Sequence, residues 1–270
     1  GWVFLCLKIE KKPIYSKKVI TRFMKKSFEL PVETVELPSQ GLLYPETSPL
    51  ASGKIEMKYM TAKEEDILTN VNYIKQGTVV DRLLESLIVT PIPYGELLVG
   101  DKNAIMVAAR ILSYGQNYDV EVGGKIHTVD LTEIKSKELD PAKYTRGKNE
   151  FNFTLPHTGQ EVTFKLLTHA DEKEIELEVR GLQKIHKDNI TEVTTRLKKI
   201  ITSINGVREP AEIRSFVDKY LLARDARALR EEYSKISPDM DMNITIQHEN
   251  GEEEVIDLPI GITFFWPDAK

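Results

Sequence analysis

The order of apolar and polar residues divides the chain into segments that alternate, as strands do, and segments with helical spacing. Ile55, Met57 and Tyr59 alternate with charged residues, which predicts a half-buried strand. Thr61 and Glu64 have the spacing of a capping box, in which each residue satisfies a backbone N–H of the first helical turn. The pattern therefore predicts a strand that leads directly into a helix over about 61–69.

Apolar residues at helical spacing predict six further helices along the chain. One is expected over about 78–89, and another begins with Asp101 as N-cap and ends at Gly115. The second of these is nearly apolar, so we expect it to be central in the core. The remaining helices are predicted over about 168–185, 190–204, 210–222 and 223–236.

Three alternating segments with turn residues at their centres predict β-hairpins. The tips are Gly123-Gly124, a His-Thr-Gly turn at 157–159, and Asn250-Gly251. Three hairpins with a helical array give an α+β fold of mixed, two-part architecture. Residues 24–149 would form an N-terminal α+β part, and residues 150–270 a C-terminal helical part with a closing β-ribbon.

Two regions share one plan, in which a helix is followed by a break and then by an alternating hairpin. The first contains Gly123-Gly124 and the second contains Asn250-Gly251. An internal duplication explains the similarity, and so does independent use of a common arrangement. Two copies are too few to decide between these explanations.

Short motifs at both ends of the chain resemble one known family. They are Leu-Pro-Ser-Gln-Gly-Leu-Leu-Tyr at 37–44, the segment 56–68, Ser-Pro-Asp-Met-Asp-Met at 237–242, and Leu-Pro-Ile-Gly-Ile-Thr-Phe-Phe-Trp-Pro at 258–267. The chain resembles baseplate hub proteins of T-even-type contractile-tail bacteriophages over roughly residues 24–267. In relatives the hairpin tips can carry Cys-x-x-Cys pairs suggestive of zinc, which are absent here.

The resemblance implies a structural or assembly protein of the tail baseplate hub and not an enzyme. The implied partners are other baseplate or hub proteins, with the tape-measure protein as a further candidate. The implied location is the virion tail baseplate, or the host cytoplasm during assembly. Two alternatives stay open: a transient assembly chaperone for hub or tape-measure proteins, and a tail-associated hydrolase.

Two apolar, proline-bounded segments and one basic helix are the predicted partner-binding surfaces. A bulky aromatic segment must be buried in this chain or in a partner, because its exposure would reduce solubility. The two arginines are three residues apart and lie on one side of their helix, where an acidic partner or local acidic residues would pair with them. The predicted docking residues are Leu42, Leu43, Tyr44, Phe264, Phe265, Trp266, Arg224 and Arg227.

Composition restricts the chemistry of this 270-residue chain. Its formal net charge of -5 argues against a nucleic-acid partner, and no apolar stretch is long enough for a membrane span. The single cysteine, Cys6, rules out a disulfide framework within the chain and a cysteine metal cluster. We therefore expect no cofactor and no metal.

The sequence gives little support for a catalytic site. None of the five histidines forms an i, i+4 pair typical of a helical metal site. Acidic runs at 64–66 and 171–174 lie in first helical turns, where they complement the helix dipole; paired acid–base carboxylates are the alternative. The sequence therefore contains no recognisable catalytic motif.

Residues 1–23 differ from the rest of the chain. An apolar run over 2–7 is followed by a lysine-rich segment, and Met24 precedes a sequence typical of a natural start. We interpret residues 1–23 as upstream sequence that was translated together with the protein. An additional N-terminal strand or arm is the alternative.

Overall fold

The computed structural model describes residues 30–185, 192–247 and 251–266. Contacts divide the chain into two compact units, Gly1–Pro31 and Val32–Lys270. The interpretation of residues 1–23 lies outside the described residues. The architecture below is that of the second unit.

The second unit begins with a two-stranded antiparallel ribbon. Strand β1 (Val32–Glu36) pairs with β2 (Lys54–Lys58), with Val35 opposite Ile55. Ile55 and Met57 are fully buried while Glu56 is exposed, which confirms the alternation predicted from the sequence. The proline-rich loop 37–53 connects the two strands.

The turn at position 41 of this loop requires glycine. Gly41 has a φ of +74°, and a Cβ atom placed on it would lie 2.4 Å from the carbonyl oxygen of Ala51. Both the left-handed backbone and the close approach exclude a larger residue there. The loop therefore folds back on itself through backbone packing.

Three short helices follow β2. Helix α1 (Ala62–Leu68) begins with the predicted capping box of Thr61 and Glu64. Helix α2 (Val71–Gln76) was not predicted from the sequence, although the Asn70 side chain caps its N-terminus and Gly77 ends it. Helix α3 (Val79–Leu87) presents Leu83, Leu84 and Leu87 to the core.

The longest helix of the first half, α4 (Val99–Tyr114), is followed by the first hairpin. As predicted, it ends at Gly115 and has many buried residues. Its start was predicted wrongly, because Leu98 is the N-cap and Asp101 is the third helical residue. Strands β3 (Asn117–Val122) and β4 (Lys125–Asp130) form the predicted hairpin.

A three-stranded antiparallel sheet forms the centre of the second half. It has the order β5 (Phe151–Thr154), β6 (Glu161–Phe164), β7 (Ile201–Ile204). The predicted helix over 190–204 is therefore wrong at its end, because the chain leaves helix α6 (Glu192–Ile200) and enters β7. The residues of β7 are mostly β-branched, and pairing with β6 satisfies their backbone groups.

Further helices and a closing ribbon complete the described part of the fold. Helices α5 (His169–Ile185), α7 (Pro210–Lys219) and α8 (Ala223–Ile236) accompany α6. Strands β8 (Asn243–Gln247) and β9 (Glu253–Asp257) form the predicted last hairpin, and a short helix, α9 (Ile262–Phe265), follows. The structure confirms the α+β class.

One continuous core cluster runs through both predicted parts. It includes Leu50 and Ile105 from the first part and Phe164 and Leu229 from the second. As a boundary between folding units, the division after residue 149 stays a prediction.

Candidate functional site

The first family-like motif is anchored to helix α4 by a buried carboxylate. One Asp101 oxygen accepts from the Ser39 backbone N–H at 2.8 Å, and the other accepts from the hydroxyls of Ser39 and Tyr44 at 2.6 Å each. The Leu98 N–H donates to the Tyr44 hydroxyl at 2.9 Å. These bonds attach the 37–44 loop to the first turn of α4, about sixty residues further along the chain.

Burial changes the proton affinities in this network. Asp101 has no solvent-exposed surface, and burial, together with the nearby Asp239, raises the pKa of its carboxyl group despite the bonds from Ser39 and Tyr44. Burial, followed by the Asp101 charge, also raises the pKa of Tyr44. Tyr44 therefore stays a hydrogen-bond donor throughout the physiological pH range.

The second motif, at 237–242, contacts the same helical turn. A Cβ atom placed on Gly100 would lie 1.8 Å from the carbonyl oxygen of Pro238, so the backbones can approach only because this residue is glycine. The Asn103 side chain donates to Asp239 at 2.9 Å, and the Lys137 N–H donates to the Asp239 carbonyl at 2.8 Å. Motifs from both ends of the chain thus meet at the start of α4.

The last motif, at 258–267, packs against α4 and the first hairpin. The rings of Phe264 and Tyr118 are 5.0 Å apart in an edge-to-face arrangement, and Phe264 and Phe265 are 5.1 Å apart. The guanidinium of Arg110 lies 5.7 Å from the centre of the Tyr118 ring. The aromatic end of the chain is therefore part of its own core, which is one of the two outcomes that the sequence allowed.

Four of the eight predicted docking residues are buried in the structure. Leu43, Tyr44, Phe264 and Phe265 have between 0% and 4% of their surface exposed, so their side chains hold the chain together and are not a surface for partners. The physical reason is that apolar segments gain more from a core within reach than from solvent exposure. Leu42 and Trp266 are half-buried and stay predictions, as do the exposed Arg224 and Arg227.

A cluster of charged groups joins helices α3, α4 and α5. Asp81 accepts from the ammonium groups of Lys102 at 2.6 Å and Lys173 at 3.0 Å, and from the Tyr94 hydroxyl at 3.1 Å. The Nε2 atom of His169 lies 3.6 Å from the same carboxylate. Although burial opposes ionisation, the two lysines lower the pKa of Asp81, while burial and then the Lys102 charge lower the pKa of His169.

A cavity of about 400 Å³ lies beside this cluster. Its charged lining is paired: Arg196 with Glu172 at 2.5 Å, and Arg180 with Glu176. The first pair joins α5 to α6, and the second lies within α5. In the part of the chain that the structure describes, no three His, Cys, Asp or Glu side chains are placed to bind a metal ion together.

The acidic runs are explained by local structure. Glu64 is fully buried and accepts from Thr61, Lys58 and Ser86. Despite burial, these bonds lower its pKa to about 2. Asp171 accepts from Thr168 and Lys165 at the start of α5. Of the histidines, His186 and His248 lie outside the described residues.

At the corner between α7 and α8, large apolar side chains are exposed to solvent. We define the α7–α8 corner by four residues: Tyr220, Leu222, Arg224 and Arg227. Tyr220 lies within the helix predicted over about 210–222 from apolar spacing, but 64% of its surface is exposed, as is 50% of Leu222. The aromatic side chain continues the apolar spacing of α7 beyond the helix end at Lys219, so helical periodicity no longer applies to it.

A second buried carboxylate fixes this corner to the three-stranded sheet. Asp225 accepts from the backbone N–H groups of His157 and Thr158 at 2.9 and 3.2 Å, and from the Thr158 hydroxyl at 2.9 Å. Arg227 pairs with Glu231, whereas Arg224 has no ion pair among residues 30–185, 192–247 and 251–266. A rigid corner therefore presents apolar and basic groups to solvent.

One comparison with known proteins found a match, and it agrees with the motifs. Within the described ranges, no helix is both long enough and apolar enough to cross a lipid bilayer. The sequence matches no curated protein and no solved structure significantly. The family model described as T4 bacteriophage base plate protein matches residues 32–266, which is nearly all of the second unit. The chain therefore belongs to the T4 bacteriophage base plate protein family and has a structural or assembly role in the phage tail baseplate.

Proposed function

We propose that this chain is a component of the baseplate hub that acts by binding other tail proteins through the α7–α8 corner. Membership of the baseplate family supports the general role, and the motifs at both ends of the chain support the hub. The observation that carries the proposal is the exposure of Tyr220 and Leu222 beside Arg224 on a rigid corner. Exposed aromatic and arginine side chains are typical of interface centres.

The chemistry of the corner defines the surface that it fits. Burial of Tyr220 and Leu222 requires an apolar side chain opposite them, and the unpaired Arg224 requires a carboxylate. Arg227 already pairs with Glu231, so it adds charge but has to exchange partners. The proposed partner surface is a baseplate protein segment with an apolar centre flanked by acidic residues.

Reversal of the corner charge tests this proposal in the phage. We expect Arg224→Glu with Arg227→Glu to fold normally but to be missing from purified baseplates. The control is Lys63→Glu with Lys75→Glu, which makes the same charge change on exposed residues of α1 and α2. Normal baseplates that contain the corner variant would eliminate the corner as a docking surface.

Leu42 and Trp266 are proposed as secondary contacts. Both are half-buried, unlike their neighbours in the same motifs. The useful change is Leu42→Ser by itself, because a polar residue at Leu43 or Tyr44 would disrupt the core. Unaltered baseplates with a folded Leu42→Ser protein would exclude that contact.

The same role permits a permanent subunit or a chaperone that leaves after assembly, with hub or tape-measure proteins as its clients. Quantitative mass spectrometry of purified virions separates these two forms. A fixed number of copies per tail supports a permanent subunit in the virion baseplate. Presence in infected host cytoplasm with absence from virions supports the chaperone.

A further inference from the structure

The closing ribbon has the opposite surface chemistry to the α7–α8 corner. In the antiparallel register, Val255 lies opposite Thr245, with Glu253 and Asp257 two residues away on the same face. All these residues are exposed, and 63% of the Val255 surface is accessible. We define the ribbon face by Glu253, Val255 and Asp257.

The ribbon face is acidic and carries no basic side chain of its own, although the Gln247 amide donates to Glu253 at 3.3 Å. From residue 239 to 257 the sequence contains no Lys or Arg. Neither Glu253 nor Asp257 has an ion pair within the described part of the chain. The acidic residues of the described segment are Asp239, Asp241, Glu252, Glu253, Glu254 and Asp257.

The opposite face of the same ribbon is already used. Ile244 and Ile246 are buried, and Ile256 packs against the core cluster. The root of the ribbon is fixed by the Asp241 N–H, which donates to the Lys135 carbonyl at 2.8 Å. The orientation that leaves Val255 and its flanking carboxylates in solvent is therefore set by packing, as the orientation of the corner is set by Asp225.

We propose that the α7–α8 corner of one molecule binds the ribbon face of a second copy of this chain. Val255 packs against Tyr220 and Leu222, and Glu253 and Asp257 pair with Arg224 and Arg227. This inference rests on the proposed function, because it names the occupant of the same docking surface. It commits to a second copy, since the chain itself supplies an apolar centre flanked by carboxylates.

The geometry makes this association head-to-tail. The corner lies at the start of α8 and the ribbon root follows its end, so a helix of about 20 Å separates them. Within one chain the two surfaces do not cover each other, because both are exposed. A contact between different surfaces repeats from copy to copy, and it closes a ring or extends an open chain according to the rotation between neighbours.

Complementary charge reversal tests the contact on the purified full-length chain. The corner variant is Arg224→Glu with Arg227→Glu, and the ribbon variant is Glu253→Lys with Asp257→Lys. We expect the wild type to form oligomers whose size rises with concentration in analytical ultracentrifugation. Each variant alone should be monomeric at the same concentrations, with an unchanged circular dichroism spectrum.

An equimolar mixture of the two variants provides the decisive measurement. The acidic corner of one variant fits the basic ribbon of the other, and their two unchanged surfaces also fit, so oligomers with alternating subunits should return. The control Lys63→Glu with Lys75→Glu should associate like the wild type. A mixture that stays monomeric, or a control that dissociates as completely as the corner variant, would overturn the proposal.

The outcome is separable from that of the proposed function. A wild-type chain that is monomeric at every concentration overturns the second copy as occupant. If the corner variant is nevertheless lost from baseplates, the corner still binds another tail protein and the proposed function stands. If the wild type associates as expected but the corner variant enters baseplates normally, the proposed function fails.

Discussion

Helices α4 and α8 have the same local plan but different environments. Each begins after a leucine N-cap, has a buried aspartate as its third residue, and is followed by a hairpin. Asp101 in α4 holds the 37–44 loop, and Asp225 in α8 holds the turn between β5 and β6. The difference is that α4 is covered by three motifs, whereas α8 is exposed at its start.

We infer from this difference that the three motifs around α4 form a scaffold. The residues of the first and last motifs that contact α4 are buried, and the second motif approaches a glycine. The exposed corner at the start of α8 contains none of those motifs. The motifs that resemble the family therefore lie in the framework of this protein, and its binding surfaces have to be found from exposure and charge.

The largest expected effect comes from a methyl group at the start of α4. Gly100→Ala places a Cβ atom against the Pro238 carbonyl, so we expect it to lower the free energy of unfolding by about 3 kcal/mol. Urea denaturation measures the change. The control is Gly181→Ala in α5, where nothing lies within 4 Å and alanine should stabilise the helix by up to about 1 kcal/mol.

The close approach of Pro238 to α4 predicts that the two glycine variants differ in stability. Equal effects would mean that the approach of Pro238 to α4 is adjustable in solution. The second motif would then not be a fixed part of the scaffold.

A smaller effect is expected when one hydroxyl of the Asp101 network is removed. Tyr44→Phe deletes the donor to Asp101 and leaves the Leu98 N–H without its acceptor, while the ring still fills its site. We expect a loss of about 2 kcal/mol, since unsatisfied buried polar groups are costly. Tyr220→Phe at the exposed corner is the matched control and should change stability little. An unchanged Tyr44→Phe protein would show that this network does not anchor the loop.

The two buried aspartates should respond oppositely to pH. Although burial opposes it, the donors from His157 and Thr158 lower the pKa of Asp225, whereas burial raises the pKa of Asp101. Asp225 therefore contributes stability that is present above about pH 4 and lost as pH falls through its folded-state pKa. Asp101 contributes stability that is complete below about pH 4 and is lost as pH rises through its folded-state pKa.

Asparagine substitutions measure these opposite dependences. In urea titrations between pH 3 and pH 7, the stability difference between wild type and Asp225→Asn should increase with pH. The difference for Asp101→Asn should decrease over the same range. If both stability differences changed with pH in the same direction, the two carboxylates would be in equivalent environments. Helices α4 and α8 would then not differ in their electrostatics.

The smallest effect is expected on the outer face of α8. Arg227→Ala removes an exposed pair with Glu231, and exposed helical pairs contribute little to stability because solvent screens them. We therefore expect an unchanged midpoint of thermal unfolding, within about 2 °C. A larger loss would mean that Arg227 stabilises the fold, and its use as a binding residue would need another explanation.

Several features could be predicted because their causes lie within a few residues. The capping box of Thr61 and Glu64, the hairpin at Gly123-Gly124 and the alternation of β2 depend on contacts at fixed sequence spacing. Helix α2 carries such local signals as well, in Asn70 and Gly77, but its exposed apolar residues gave no periodic stripe. The aromatic end was predicted to be buried in the chain or in a partner, and the fold supplied the first of these.

The order of residues along the chain was enough to predict where the hairpins form, where most helices lie, and the family that the motifs resemble. The tertiary structure alone decided that Asp101 receives Ser39 and Tyr44 instead of capping its helix, that residues 201–204 join β6, and that Tyr220 faces solvent. The physical reason is that local hydrogen bonds follow from neighbouring residues, whereas burial and cross-strand pairing depend on which distant segments pack together. A docking surface is the part of the chain that this packing leaves uncovered, so it appears only when the core is complete.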